Sequence, residues 1–244
     1  MRLGDVSEAF GGYAFKSQDF RDNGIYQVLR IGNIRPGIIR SWESPIFMNP
    51  PEEMLEKSKL EVGDIVITLT GTKRKRDYGF TAEIKEPNYL LNQRLAAIRF
   101  SYKNLSRFFL YCSWTDSFKD QFFEYETGNV GQGNVGMKGV TTVLIPLCSA
   151  EEQHQIVQEI ESRLSECDNM ESTIAASMQQ AEALRQSILK KAFEGRLLND
   201  KELEAVRQDP AWEPAERLLE RIRAEKPALQ LKKPGRKGKY KVLA

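Results

Sequence analysis

Between Ser149 and Gly195 the chain carries neither proline nor glycine, and this stretch constrains the fold more than any other. It opens on Ser149-Ala150-Glu151-Glu152, a capping box in which Ser149 accepts from the Glu152 amide and the Glu152 carboxylate reaches back. It closes on Lys190-Lys191, with Gly195 just beyond as the left-handed stop signal. Apolar residues recur in steps of three and four at Ile156, Ile160, Leu164, Cys167, Met170, Ile174, Met178, Ala181, Leu184, Ile188 and Ala192. The spacing predicts one helix of roughly 65–70 Å. About ten stripe side chains at ~1.5–3 kcal/mol each could yield more than ~15 kcal/mol gross when buried. Left in water, such a stripe invites aggregation, so it calls for a mate. A partner helix is the main expectation; a fold-back onto the chain's own domain is the alternative.

The formal net charge of +2 conceals a gradient. Lys plus Arg against Asp plus Glu stands at 19 to 17 in residues 1–148, 5 to 9 in 149–198 and 12 to 8 in 199–244. The helix is therefore acidic and both flanks mildly basic, which weakly favours nucleic acid as partner of the flanks. No apolar run approaches the ~20 residues that span a bilayer, and no signal peptide opens the chain. Cys112, Cys148 and Cys167 are odd in number, and His154 is the single histidine, so a zinc set is not expected. A reduced, cytoplasmic protein with no membrane partner is the expectation.

Residues 1–148 read as a mixed, strand-rich domain. Phe10 to Ser17 reads as a glycine-and-aromatic turn, Ile25 to Ile31 as a strand, Ile65 to Leu69 as a buried strand and Tyr89 to Phe100 as one further strand. Asn104 to Glu126 reads as an amphipathic helix, Thr127 to Gly139 with its five glycines as loop, and Val140 to Ile145 as a last strand. After Gly195 the periodicity lapses until a short helix over Pro214 to Lys226, and 231–244 form a basic, Pro/Gly-broken tail expected to be mobile. The expected boundaries are a globular domain at 1–148, a spacer helix at 149–198 and a tail at 199–244.

Lys73-Arg74-Lys75-Arg76 follows Thr70-Gly71-Thr72 directly after the apolar strand. Four adjacent cations repel one another, so they need full solvation or an anionic partner. The functional reading is a loop on phosphates, with an arginine reaching a guanine edge. The glycines around Gln132 and Asn134 do not stand between a strand and a helix of a βαβ unit, so a nucleotide cradle is not indicated. A loop bringing Gln132, Asn134 and Lys138 to a surface is the better reading, because an amide can pair twice with an adenine edge. Asn49-Pro50-Pro51-Glu52 lacks the aromatic fourth residue that stacks on a flipped base, and reads as a chance turn. His154 has no nucleophile beside it. No catalytic and no metal-binding residue is expected.

The ordered motifs resemble the specificity subunit of type I restriction–modification systems. They are Leu3-Gly4-Asp5-Val6, Gly12 to Phe20, Arg30 to Ile34, Gly63 to Ile67, Leu91-Asn92-Gln93-Arg94, Gly131 to Asn134, Ile145-Pro146, Glu151 to Val157 and Arg185 to Leu197. The likeness covers roughly 1–198, one target-recognition domain plus one helical spacer. Cys148 and Ser149 replace the prolines usual after Ile-Pro, and the cations at 73–76 look particular to this chain. Residues 208–226 look like the segment that closes a second unit, so the chain is expected to be either the C-terminal half of a full subunit or a natural half-size one.

The resemblance implies an α+β fold, a strand-rich recognition domain followed by a long helix that pairs as an antiparallel coiled coil. It implies a non-catalytic subunit that reads half of a split double-stranded DNA target and scaffolds modification (methyltransferase) and restriction subunits. S-adenosylmethionine would sit on the modification subunits, and this chain would hold no cofactor. The expected DNA contacts are Lys16, Ser17, Thr72, Lys73, Arg74, Lys75, Arg76, Gln132, Asn134 and Lys138. The expected homodimer interface is Ile156, Ile160, Leu164, Cys167, Ile174, Met178, Ala181, Leu184 and Ile188. Two alternatives stand beside this: the severed specificity region of a fused restriction–methyltransferase, and a coiled-coil adaptor without a DNA role.

Overall fold

The structure, a computed structural model, describes residues 1–230 other than Arg74 and Val130. In chain order its first elements are β1 (Ser7–Gly11), β2 (Tyr26–Leu29), β3 (Ile34–Arg35), β4 (Ile38–Ile39), β5 (Phe47–Met48), α1 (Glu52–Ser58) and β6 (Ile65–Thr68). Next come β7 (Thr70–Thr72), β8 (Thr81–Glu83), β9 (Tyr89–Leu91), β10 (Leu95–Phe100), α2 (Lys103–Cys112) and α3 (Asp116–Glu124). The rest are β11 (Glu126–Thr127), β12 (Gln132–Val135), α4 (Met137–Thr141), α5 (Ala150–Phe193), α6 (Asp200–Arg207) and α7 (Ala215–Gln230). Two compact units divide between Asp168 and Asn169.

The first unit is built on the antiparallel sheet β1-β10-β6-β8. Every residue of β6 is buried, which is why its sequence is a continuous apolar run rather than an alternation. Ile65 and Ile67 enter a core with Ala96, Ile98, Phe109, Phe118 and Phe122. Val66 points the other way, to Leu29, Ile34, Leu60, Leu91 and Ala97. Helices cover one face; the sheet β5-β2-β9, in which β2 and β9 run parallel, stands beside the other.

At the entrance to β6 sits a buried ion pair. Asp64, 2% exposed, receives Nε and Nη2 of Arg99 at 2.8 and 2.7 Å, and the Glu61 amide at 2.8 Å. That amide bond closes the Glu61-to-Asp64 turn, while Arg99 ties the turn to β10. The Asp64 carboxylate pushes the Arg99 guanidinium pKa above its ordinary value.

Five expectations need correction. Tyr89 to Phe100 is two strands in two sheets, broken at Asn92-Gln93-Arg94, with Arg94 at φ +71°. Asn104 to Glu126 is two helices, because Thr115 accepts from the Phe118 amide and starts a new one. The glycine-rich Thr127 to Gly139 holds strand β12 and the first turn of α4, since β7 supplies hydrogen bonds that glycine's weak strand preference does not oppose. Val140 to Ile145 is no strand: it finishes α4, and only Leu144 bridges, to Arg2. The Phe10-Gly11 part of the expected turn belongs to β1. Helix α6 was not foreseen; Asn199 and Glu202 cap it reciprocally at 3.0 and 2.9 Å.

The long helix follows the sequence closely. Ser149 Oγ accepts from the Glu152 amide at 3.2 Å, and the Glu152 carboxylate from the Ser149 amide at 3.0 Å. Gly195, at φ +70°, donates to the Ala192 carbonyl, and Arg196 to Lys191. Among the described residues no helix is long and apolar enough to cross a membrane.

Asp64→Ala removes the carboxylate that joins the Glu61 turn to β10, while Arg99, 30% exposed, keeps Glu61 at 3.1 Å. The substitution is expected to cost about 1–3 kcal/mol. Urea unfolding measures it; a loss under 1 kcal/mol would mean that the pair does not hold β6.

Candidate nucleic-acid interface

Strands β7 and β12 bring together residues some sixty positions apart. Thr72 stands opposite Gln132, Gly71 opposite Gly133 and Thr70 opposite Asn134, with β11 adding Thr127 beside Asn134. Strand period puts Thr70, Thr72, Gln132 and Asn134 on one face. Gln132 and Asn134 are exposed while Gly133 and Val135 are buried. The Thr70 hydroxyl donates to Asn134 Oδ1 at 2.9 Å. This fixes the amide plane and leaves a second Oδ1 lone pair and both Nδ2 protons for a partner. An amide so held can pair with a base edge at small entropic cost.

The opposite face is closed by Tyr78, 2% exposed and set edge-on to Phe123 at 5.0 Å. Its hydroxyl donates to Glu126 Oε1. Burial, and then that carboxylate, push the phenol pKa well up, so it remains a donor. A Cβ on Gly71 would lie 2.7 Å from Tyr78 Cδ1, and one on Gly133 would collide with the Tyr78 hydroxyl and Glu126. The facing glycines are therefore the seat of the ring. Thr70, Tyr78 and Glu126 were not singled out from sequence; the signal was the polar–Gly–polar alternation of Thr70-Gly71-Thr72 and Gln132-Gly133-Asn134.

The basic run leaves the end of β7. The Lys73 amide donates to Gly131, and the amides of Lys75 and Arg76 donate to the Thr72 carbonyl at 3.1 and 2.9 Å, folding the run into a tight turn. Asp77 accepts from the Thr72 amide at 2.6 Å, which holds its carboxyl below the usual range and keeps one negative charge among the cations. Arg76 stacks over Phe123 at 4.8 Å, with Asp120 at 3.9 Å. Lys73 is half-buried and Lys75 exposed. Arg74, like the basic tail at 231–244, lies outside the described residues.

The remaining expected contacts stand apart from this face in the chain. Lys138 is exposed on α4, beyond the end of β12. Lys16 precedes, and Ser17 opens, a short 3-10 turn after Phe15, which packs with Val28, Met48 and Leu90.

The helix presents two faces. Gln153 and Val157 are buried, Val157 against Leu105 and Phe108 of α2. Gln153 Nε2 donates to the Cys148 carbonyl at 2.9 Å, and Glu161 meets Arg107 at 3.0 Å. The apolar stripe lies elsewhere on the circumference. Ile174 is 60% exposed, Met178 69% and Leu184 62%, while Ile156, Leu164, Cys167, Ala181 and Ile188 are also exposed and Ile160 is half-buried. Ile156 and Ile160 border an apolar groove with Phe108, Phe118, Leu144 and Pro146.

Other chemistry finds little support. Asn49 accepts from the Ile25 amide at 2.9 Å and Pro51 caps α1, so this stretch is a turn. Burial pushes the Cys112 thiol up, away from reactivity. Among the described residues no three His, Cys, Asp or Glu side chains are gathered to hold a metal.

A strand-rich α+β domain with a cation-flanked amide face, continuing into a long helix with an uncovered apolar stripe, defines the class. Residues 1–180 match the family described as type I restriction modification DNA specificity domain, and the chain belongs to that family. It is 28% identical over 183 residues to the Escherichia coli type I restriction enzyme EcoBI specificity subunit, covering 75% of this chain and 38% of that one. It is 25% identical over 214 residues to the EcoKI specificity subunit of Escherichia coli K12, covering 87% and 46%. The chain thus spans less than half the length of these relatives. The fold is similar to the HsdS subunit of Thermoanaerobacter tengcongensis, at TM-score 0.54 and 22% identity over 81% of this chain and 45% of that one. A chain in a structure of type I R-M complex assembly and conformational transition gives TM-score 0.60 at 20% identity, over 81% and 46%.

Gly133→Ala is expected to cost about 1–3 kcal/mol by displacing Tyr78. In a Tyr78→Phe background the cost falls, a coupling that a thermal-unfolding double-mutant cycle measures. Strict additivity would show that the ring does not rest on the glycines.

Proposed function

We propose that this chain is a non-catalytic, sequence-specific DNA-reading subunit of a type I restriction–modification complex. The β7–β12 face carries the reading: two exposed side-chain amides, one pinned by Thr70, stand beside a run of cations. Gln132 and Asn134 would read base edges from the major groove, with Thr72 beside them. Lys73, Arg74 and Lys75 would take phosphates. Arg76 is held on Phe123 and would act from that fixed position. Lys16, Ser17 and Lys138 would make outlying backbone contacts.

A split target needs two readers. The exposed stripe from Ile156 to Ile188 supports a second copy as that other reader, paired antiparallel along the helix. Nine stripe residues at ~1.5–3 kcal/mol each reach a gross gain comparable to the ~4–15 kcal/mol that association costs. Helix length would then set the gap between half-sites, as dimer geometry does in other readers. Methylation, with S-adenosylmethionine, and cleavage would belong to modification and restriction subunits held by this one in the cytoplasm.

Two experiments test this. With modification subunits supplied and a randomised duplex as probe, Lys73→Ala with Lys75→Ala is expected to lower the slope of log K against log salt by about 2. An unchanged slope removes the loop as a phosphate contact. Ile174→Glu with Met178→Glu is expected to turn a dimer into a folded monomer in sedimentation equilibrium, both positions being exposed in the single chain. A wild-type chain that is already monomeric at micromolar concentration overturns the pairing.

A further inference from the structure

We propose that the turn between β9 and β10 is a second DNA contact, made by Gln93 and Arg94; this rests on the DNA-reading proposal above. Both side chains are exposed, while almost everything beneath them is fixed. The Gln93 amide donates to the Tyr13 carbonyl and to its neighbour's Asn92 Oδ1, each at 2.9 Å. The Arg94 carbonyl accepts from the Leu69 amide at 2.9 Å, and the Gly12 amide donates to Leu95 at 2.9 Å. Gly12 lies so close to the Asn92 carbonyl that it has no room for a Cβ.

Leu69 places the turn beside the amide face. Its amide bonds Arg94, and its carbonyl accepts from the Val135 amide at 2.9 Å. Arg94, Leu69 and Val135 are therefore linked in one hydrogen-bonded row that joins the β1-β10-β6-β8 sheet to the β11-β12-β7 sheet, and the next row is Thr70 with Asn134. Two strand spacings are about 10 Å, about three base-pair rises along a duplex.

The choice of residue is informative. Arg94 has φ +71°, a conformation that suits glycine and is disfavoured for a side chain with a Cβ. The backbone gains nothing from arginine there. Nor is the guanidinium used within the fold: Arg76, Arg99 and Arg107 each meet a carboxylate, whereas among the described residues Arg94 meets none. A cation kept at a strained, tightly fixed and exposed position is suited to an anion outside the chain, and the adjacent Gln93 amide to a base edge.

Arg94→Gly separates function from folding, since it relieves the backbone. With the full chain, modification subunits supplied and a randomised duplex as probe, Arg94→Gly is expected to lower the salt slope by about 1 and affinity several-fold, with the unfolding midpoint equal or higher. Arg94→Lys keeps the slope. Gln93→Ala keeps the slope too, and in sequences selected from the random pool relaxes preference at one base pair. Unchanged slope and affinity in Arg94→Gly, while Lys73→Ala with Lys75→Ala still lowers both, overturns this inference alone. Absence of binding by the unaltered chain, or indifference to every one of these changes, overturns the DNA reading and this inference with it.

Discussion

A single residue, Leu69, joins the buried and the exposed halves of the recognition domain. Leu69 follows β6, which is covered on both faces, and precedes β7, whose polar face is open. Its amide and carbonyl are held by Arg94 and Val135, while its side chain remains in the main core. The β11-β12-β7 sheet has strands of two to four residues, too small to persist alone in water. It owes its order to β6, of which β7 is the continuation, and to Tyr78 pressed against its covered face. Precision at the amide face is thus borrowed from the central sheet, as a functional site on rigid elements requires.

The long helix applies a different economy. Its first turns are anchored by Val157 and by the Arg107–Glu161 pair, contacts about 100° around the helix from Ile156 and Ile160. The anchoring face and the apolar stripe do not compete for the same side chains. Docking to its own domain therefore leaves the stripe intact for a mate. A helix with one apolar face alone would have to choose between the two.

What was legible in the chain was what depends on local order. The capping box at Ser149, the glycine stop at Gly195 and the three-and-four spacing act within a few residues, and the structure keeps all three. The all-buried Ile65–Thr68 strand was likewise legible, because continuous β-branched apolar sequence has few other uses. Strand β12 was not, because its hydrogen-bonding partner, β7, lies some sixty residues earlier and its glycines argue locally for loop. The break at Asn92-Gln93-Arg94 was hidden for a related reason: tertiary bonds to Tyr13 and Leu69 hold Arg94 in a conformation no local preference would select. Thr72, Gln132 and Asn134 were identifiable by residue type, but their common face exists only through register.

Charge distribution bears on how such a domain would engage DNA. At 19 cations to 17 anions, residues 1–148 generate little long-range attraction, so grip must come from where the cations stand rather than how many there are. Lys73, Lys75 and Arg76 are gathered at the end of β7, within one turn of Thr72 and next to the two exposed amides of β12. The helix region, with 5 cations to 9 anions over 149–198, carries a net charge that disfavours a phosphate backbone. On the proposed reading a duplex would gain little from the helix, and the stripe would be left for a protein partner. The two surfaces thus differ in the interaction each can offer, hydrophobic burial along the stripe and local charge with hydrogen bonding at the β7–β12 face.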